Sequence, residues 1–280
     1  MSWLTIPLAF DFIQQALAIS VLIAAAAGAL SCFLVLKGWA LMGDAISHAV
    51  LPGVVLAHIL GIPLIIGAFA AGMICATATG YLAANSRVKQ DTVMGVVFAG
   101  MFGFGVVLYR SIETDVHLDH ILFGHMLGVG WADVRTTGMI ALAALAAVVL
   151  RRRDLLLFSF DPQHASAIGL RTGLLHYGLL AIISLVVVGA LDAVGLILAI
   201  ALLIAPGATA HLLTERFDRM LGLSILIGVL GAIGGVFLGF HANADPAASI
   251  VVVLTGIFIL AFLLASKHGV VWRRRAPVRG

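Results

Sequence analysis

Apolar residues run through this chain in long blocks that charged residues interrupt at intervals of about one helical membrane crossing. The blocks fall at 12–36, 40–59, 62–84, 92–109, 132–150, 174–191, 194–213, 220–240 and 248–266. Each is near the roughly 20 residues that carry a helix across a hydrocarbon core about 30 Å thick. Two blocks are irregular: the second contains Asp44 and His48, and the short seventh contains Pro206. If one of these behaves as a broken or re-entrant element, nine spans become eight.

Composition narrows the class. Hydrophobic residues make up 62% of the 280 residues and charged residues 10%, whereas a soluble domain is about half apolar and a quarter charged. No sizeable soluble domain fits beside the spans. The expectation is an all-α polytopic membrane protein of eight to nine transmembrane helices, a single transmembrane domain over 1–280 in the cell's inner (plasma) membrane.

A net charge of +3 would suggest nucleic acid only if the basic residues formed a soluble face, and they stand between spans instead. Lys37, Arg87 with Lys89, Arg151 to Arg153 with Arg171, Arg216 with Arg219, and Lys267 with Arg273 to Arg275 all fall on one side of an alternating nine-span path. The positive-inside rule makes that side cytoplasmic, with the N-terminus outside and the C-terminus inside. No Lys or Arg precedes Lys37, so the first block reads as a retained helix rather than a signal peptide. The outer connections hold Glu113, Asp115, Asp119, Asp133, Asp192 and Asp245 against Arg110 and Arg135, which makes an acidic outer mouth. Cys32 and Cys75 lie in apolar blocks and form no CxxC pair, so neither a disulfide framework nor a thiolate metal site is indicated.

Small residues recur every fourth position at Gly95, Ala99 and Gly103 and again at Gly231, Gly235 and Gly239. Both stripes read as seams where helix backbones approach, since lipid supplies no hydrophobic drive for helices to associate.

The candidate chemistry lies between Lys37 and Gly53. Asp44 and His48 are four residues apart and share one helix face. An ionisable group in a span is costly and ordinarily faces a cavity or a partner. Carboxylate oxygen with imidazole nitrogen suits divalent Mn, Fe or Zn; the same pair could form a proton relay, or a hydrogen-bonded pair that only orients a bend at Pro52 and Gly53. In the cytoplasmic connection 151–171, Asp161 is a good N-cap, Pro162 a good first helical residue and Gly169 a good stop, which predicts a short helix. Such a helix could seat on a partner or rest on headgroups. His117, His120 and His125 cluster with Asp115 and Asp119 on the outer side, as a cation funnel or as a solvated loop.

The string GWALMGDAISHAVLPGVVLA at 38–57 resembles the signature of the manganese, zinc and iron permease family of ABC importers, and its GDxxSHxxLPG core is specific. The likeness continues through LDHILFGHMLGV at 118–129, FDPQHASAIGL at 160–170 and VGLILAIALLIAPGATA at 194–210. It departs where family members commonly carry a basic pair, since Lys37 is followed by Gly38. The resemblance implies a permease that acts as a homodimer, with Asp44 and His48 on the metal path. It implies cytoplasmic ATPase subunits docked on Asp161 to Gly169, and a periplasmic or surface-tethered metal-binding protein that delivers the ion. No permanently bound cofactor and no bond chemistry is expected of the permease; ATP belongs to the partner, because no GxxxxGK[ST] pattern occurs here. The run HILFGHMLGV resembles the manganese and iron branch, which ranks Mn2+ first as cargo, then Fe2+, with Zn2+ as the alternative. A proton-coupled secondary metal transporter is the rival of another class, and it would not need the 161–169 helix. An intramembrane metalloprotease is set aside because HExxH is absent.

Overall fold

The computed structural model describes residues 6–111, 124 and 126–265. Among these there are no strands, and the helices follow the apolar blocks closely. They are α1 (Asp11–Lys37), α2 (Met42–Leu60), α3 (Leu64–Ala84), α4 (Gln90–Arg110), α5 (Trp131–Leu150), α6 (Arg152–Phe160), α7 (Pro162–Ala167), α8 (Thr172–Val194), α9 (Leu196–Leu213), α10 (Phe217–Ala242) and α11 (Pro246–Leu264). Nine helices among the described residues are long and apolar enough to cross a membrane: all but α6 and α7. Neither irregular block is lost: both are among these nine.

α1 is the axis of one half of the molecule. Ala24, Ala26, Ala27, Ala29 and Leu30 are buried on successive faces, and a helix that is apolar all round belongs inside a bundle. It packs on α5, α9 and α10, and α10 in turn on α11. It stops at Gly38, whose φ of 68° suits a residue without a Cβ, and the Trp39 N–H closes the end on the Leu34 carbonyl at 2.8 Å. The second half is α2, α3 and α4, joined to the first by α8, which touches α1, α2, α3, α5 and α9.

Two Pro-Gly pairs inside spans follow one logic. Proline gives its helix no N–H and disturbs the ladder, while the following glycine lets a neighbour come to backbone contact. In α2, a Cβ on Gly53 would overlap the Gly67 carbonyl of α3, and one on Gly67 would overlap the Gly53 carbonyl. In α9, Ser31 Oγ of α1 bonds both sides of Pro206: it accepts from the Gly207 N–H at 2.9 Å and donates to the Ile204 carbonyl at 3.1 Å. α9 runs as one helix from Leu196 to Leu213, where the sequence also allows a broken one.

The cytoplasmic connection holds more structure than its pattern predicted. The expected short helix is α7: Asp161 Oδ1 accepts from the His164 N–H at 2.8 Å, and Gly169 ends the turn at φ 85°. Ahead of it stands α6, a helix that the cap-and-stop pattern of 161–169 does not predict. α6 buries Leu155 and Phe158 at three-residue spacing, and Arg152 Nε reaches Asp218 Oδ1 of α10 at 3.2 Å. α7 is thereby carried on a helix anchored to the bundle. Ala165 is its buried residue, and Pro162, Gln163, His164, Ser166 and Ala167 are exposed.

Candidate metal path

The first turns of α2 have two kinds of face. Met42, Gly43, Ala45, Ile46, Ala49 and Val50 point into the bundle, with Gly43 against Leu203 of α9. Asp44 and His48 point out of it, their side chains 31% and 28% exposed. His48 Nε2 stands 3.4 Å from Asp44 Oδ1, beyond the usual 2.7–3.2 Å of a nitrogen–oxygen hydrogen bond. The two groups lie side by side and open, which disfavours a sealed pair that satisfies itself. Ser47 turns inward, and its hydroxyl donates to the Asp44 carbonyl at 2.7 Å rather than to the carboxylate.

The other face of the His48 ring environment comes from α4. Phe98 stacks on the imidazole with centroids 5.7 Å apart and planes at 24°, and Phe102 meets it at 5.4 Å and 83°. α4 is drawn to this level by Gly105, where a Cβ would lie 2.8 Å from the ring nitrogen of Pro52. Proline and glycine of the LPG segment thus set the distances to α4 and α3, one turn beyond the open Asp44 and His48. Pro52 also has no N–H to offer the His48 carbonyl, four residues earlier.

The described residues contain no group of three or more His, Cys, Asp or Glu placed to hold a metal. Both cysteines are buried away from the pair, with the Cys75 thiol donating to the Ala45 carbonyl at 3.7 Å and the Cys32 thiol to the Met220 carbonyl at 3.6 Å. Of the outer-side residues, Glu113, Asp115, His117, Asp119, His120 and His125 lie outside the described residues. Asp133 and Asp245 are helix caps: Asp133 Oδ2 accepts from the Gly130 N–H at 3.0 Å, and Asp245 Oδ1 from the Ala248 N–H at 2.8 Å. Part of the acidic outer set therefore starts helices, as carboxylates at N-termini do.

A second cluster, at the basic end of α1, went unread in the sequence. The Lys37 ammonium sits 3.7 Å from the Phe158 ring centroid of α6 and 4.8 Å from that of Trp39. The His176 ring of α8 meets Trp39 at 5.4 Å and Phe158 at 6.1 Å. Sequence spacing gave no hint of this, because its members come from four segments. It ties the base of α6 to the connection that leads into Asp44, through contacts worth about 0.5–2 kcal/mol each.

Comparison with known proteins places this geometry in a lineage. The chain is 49% identical over 97% of its length to the chelated iron transport system membrane protein of Yersinia pestis, covering 92% of that protein. It is 45% identical over 98% of its length to a manganese transport system membrane protein of Synechocystis, covering 90% of it. Among solved structures, PsaBC from Streptococcus pneumoniae in complex with Fab superposes with a TM-score of 0.85 at 37% identity, over 95% of this chain and 96% of that one. The family model of the ABC 3 transport family matches residues 9–265, nearly the whole bundle from α1 to α11, and the chain belongs to that family.

Proposed function

We propose that this chain is the membrane-spanning permease of an ATP-driven importer that carries a divalent transition metal, Mn2+ first and Fe2+ second, into the cytoplasm. The observation that carries this reading is the open Asp44–His48 pair on a helix of membrane-crossing length. Asp44 stands in the first turn of α2, where the helix N-terminus favours a carboxylate, and His48 lies one turn deeper; ionisable groups left open on a spanning helix belong on a hydrated path. A nitrogen and an oxygen 3.4 Å apart on one open face can both reach a single divalent ion. Imidazole and carboxylate without thiolate suit Mn2+ and Fe2+, and the names of the relatives support the same cargo.

One copy supplies two ligands, and an octahedral ion needs about six. Two copies across a two-fold axis supply two carboxylates and two imidazoles, and water or backbone oxygen completes the shell. Incomplete protein coordination suits a site that must release its ion. ATP is hydrolysed on separate subunits that seat on the exposed face of α7, and a metal-binding protein delivers the ion to the outer side. Asp44→Ala and His48→Ala are each expected to abolish radiolabelled uptake at unchanged membrane abundance by immunoblot. Uptake is to be compared across Mn2+, Fe2+ and Zn2+. Near-normal uptake by both variants at normal abundance would refute the site.

A further inference from the structure

We propose that Phe98 and Phe102 are positioning residues for the permeating ion: together they fix the imidazole of His48 so that Nε2 is presented beside the Asp44 carboxylate, and so they tune which ion is accepted. The proposal rests on Asp44 and His48 being the metal ligands.

A helix alone does not present this pair. Spacing of four residues brings the two side chains to one face, but an imidazole on a helix surface still turns about its χ2 bond, a broad and soft torsion. Turned out of its present plane, it no longer presents Nε2 to the carboxylate. Two aromatic rings hold that plane, one stacked at 24° and the other edge-on at 83°. Offset-stacked and edge-to-face pairs are the arrangements aromatic rings prefer, worth about 0.5–1.5 kcal/mol beyond simple burial.

The rings are themselves placed from below. Phe98 and Phe102 are one turn apart on α4, and Gly105 on the same side touches Pro52 of α2. That contact sets the height of α4 against α2 and leaves the rings level with His48. Both phenylalanines are half-buried, at the margin of the open face that carries Asp44. For packing alone, leucine would serve as well there; a flat ring is needed only to hold another flat ring.

The consequence for cargo follows from ligand geometry. Zn2+ has no geometric preference of its own and accepts an imidazole in many orientations. Loss of the clamp therefore costs Zn2+ less than it costs an ion that takes six ligands in octahedral order. Groups that orient a metal-binding histidine typically matter by about ten- to a hundredfold in affinity or activity.

The test is radiolabelled Mn2+ uptake in cells carrying the complete transporter, with Phe98→Leu, Phe102→Leu and the ring-keeping Phe98→Tyr and Phe102→Tyr. The leucine variants are expected to reach normal membrane abundance, to raise the KM for Mn2+ roughly tenfold, and to become more sensitive to inhibition by Zn2+. The tyrosine variants should restore both values. In a His48→Ala background, Phe102→Leu should change nothing further. Leucine variants with unchanged KM and unchanged Zn2+ inhibition, beside an inactive His48→Ala, would overturn the clamp and leave the metal site standing. Normal uptake by His48→Ala would instead overturn the site and the clamp with it.

Discussion

The two glycine stripes look alike in sequence and meet opposite fates in the fold. On α10, a Cβ at Gly231 would overlap Leu254, one at Gly235 the backbone of Ile250, and one at Gly239 would come 3.0 Å from Pro246, so α11 is seated directly on that stripe. On α4, Gly95 and Gly103 have nothing within 4 Å of where a Cβ would stand. One stripe is closed by α11, and the other meets no neighbour among the described residues. The open stripe lies on α4, the helix whose Phe98 and Phe102 face His48. Small residues at four-residue spacing thus mark where a backbone can be approached, and the spacing does not say whether the same chain makes the approach.

The sharpest way to break the contrast is Gly235→Leu. A side chain there must displace the backbone of Ile250, and overpacking against backbone costs upwards of about 3 kcal/mol. Loss of the protein from membranes on immunoblot is the expected outcome, and normal abundance would show that α11 is not held as described. Ala167→Arg, on the exposed face of α7, should leave abundance unchanged and abolish uptake, since an unpaired charge pressed into a partner's groove is costly. Unaltered uptake would remove the docking role. The smallest effect belongs to Gly103→Leu, which meets no neighbour among the described residues and should leave membrane abundance and thermal stability in detergent within experimental scatter. A fall in abundance there comparable with that of Gly235→Leu would erase the distinction between the stripes.

Much of this architecture was legible before any coordinates. Long apolar blocks need no tertiary information to be read as spans, because lipid forces each to satisfy its backbone alone. The α7 cap was legible for the same reason: Asp161, Pro162 and Gly169 act within one turn. α6 was not, because its helix is supported by Leu155 and Phe158 against the bundle and by Arg152 on Asp218, contacts that sequence distance hides. At the site, Asp44 and His48 stood out as polar residues in an apolar block, while Phe98 and Phe102 were invisible among the many apolar residues of α4. Phenylalanine in a span announces nothing until a ring is found beside it. The lysine among rings at Lys37, Trp39 and Phe158 was hidden likewise, although Lys37 had been noticed as a basic residue.

The Ser31 patch on α9 has a consequence for how the protein is assembled during synthesis. α9 is made more than 170 residues after Ser31, and Pro206 brings it into the bilayer with no N–H to offer the Leu202 carbonyl four residues earlier. Each such group costs several kcal/mol in hydrocarbon. The Ser31 hydroxyl that bonds both sides of Pro206 is already in place on the first helix, so docking on α1 favours α9 as a span. The order of the chain is thereby also an order of insertion, in which the earliest helix acts as the receiving surface for one of the last.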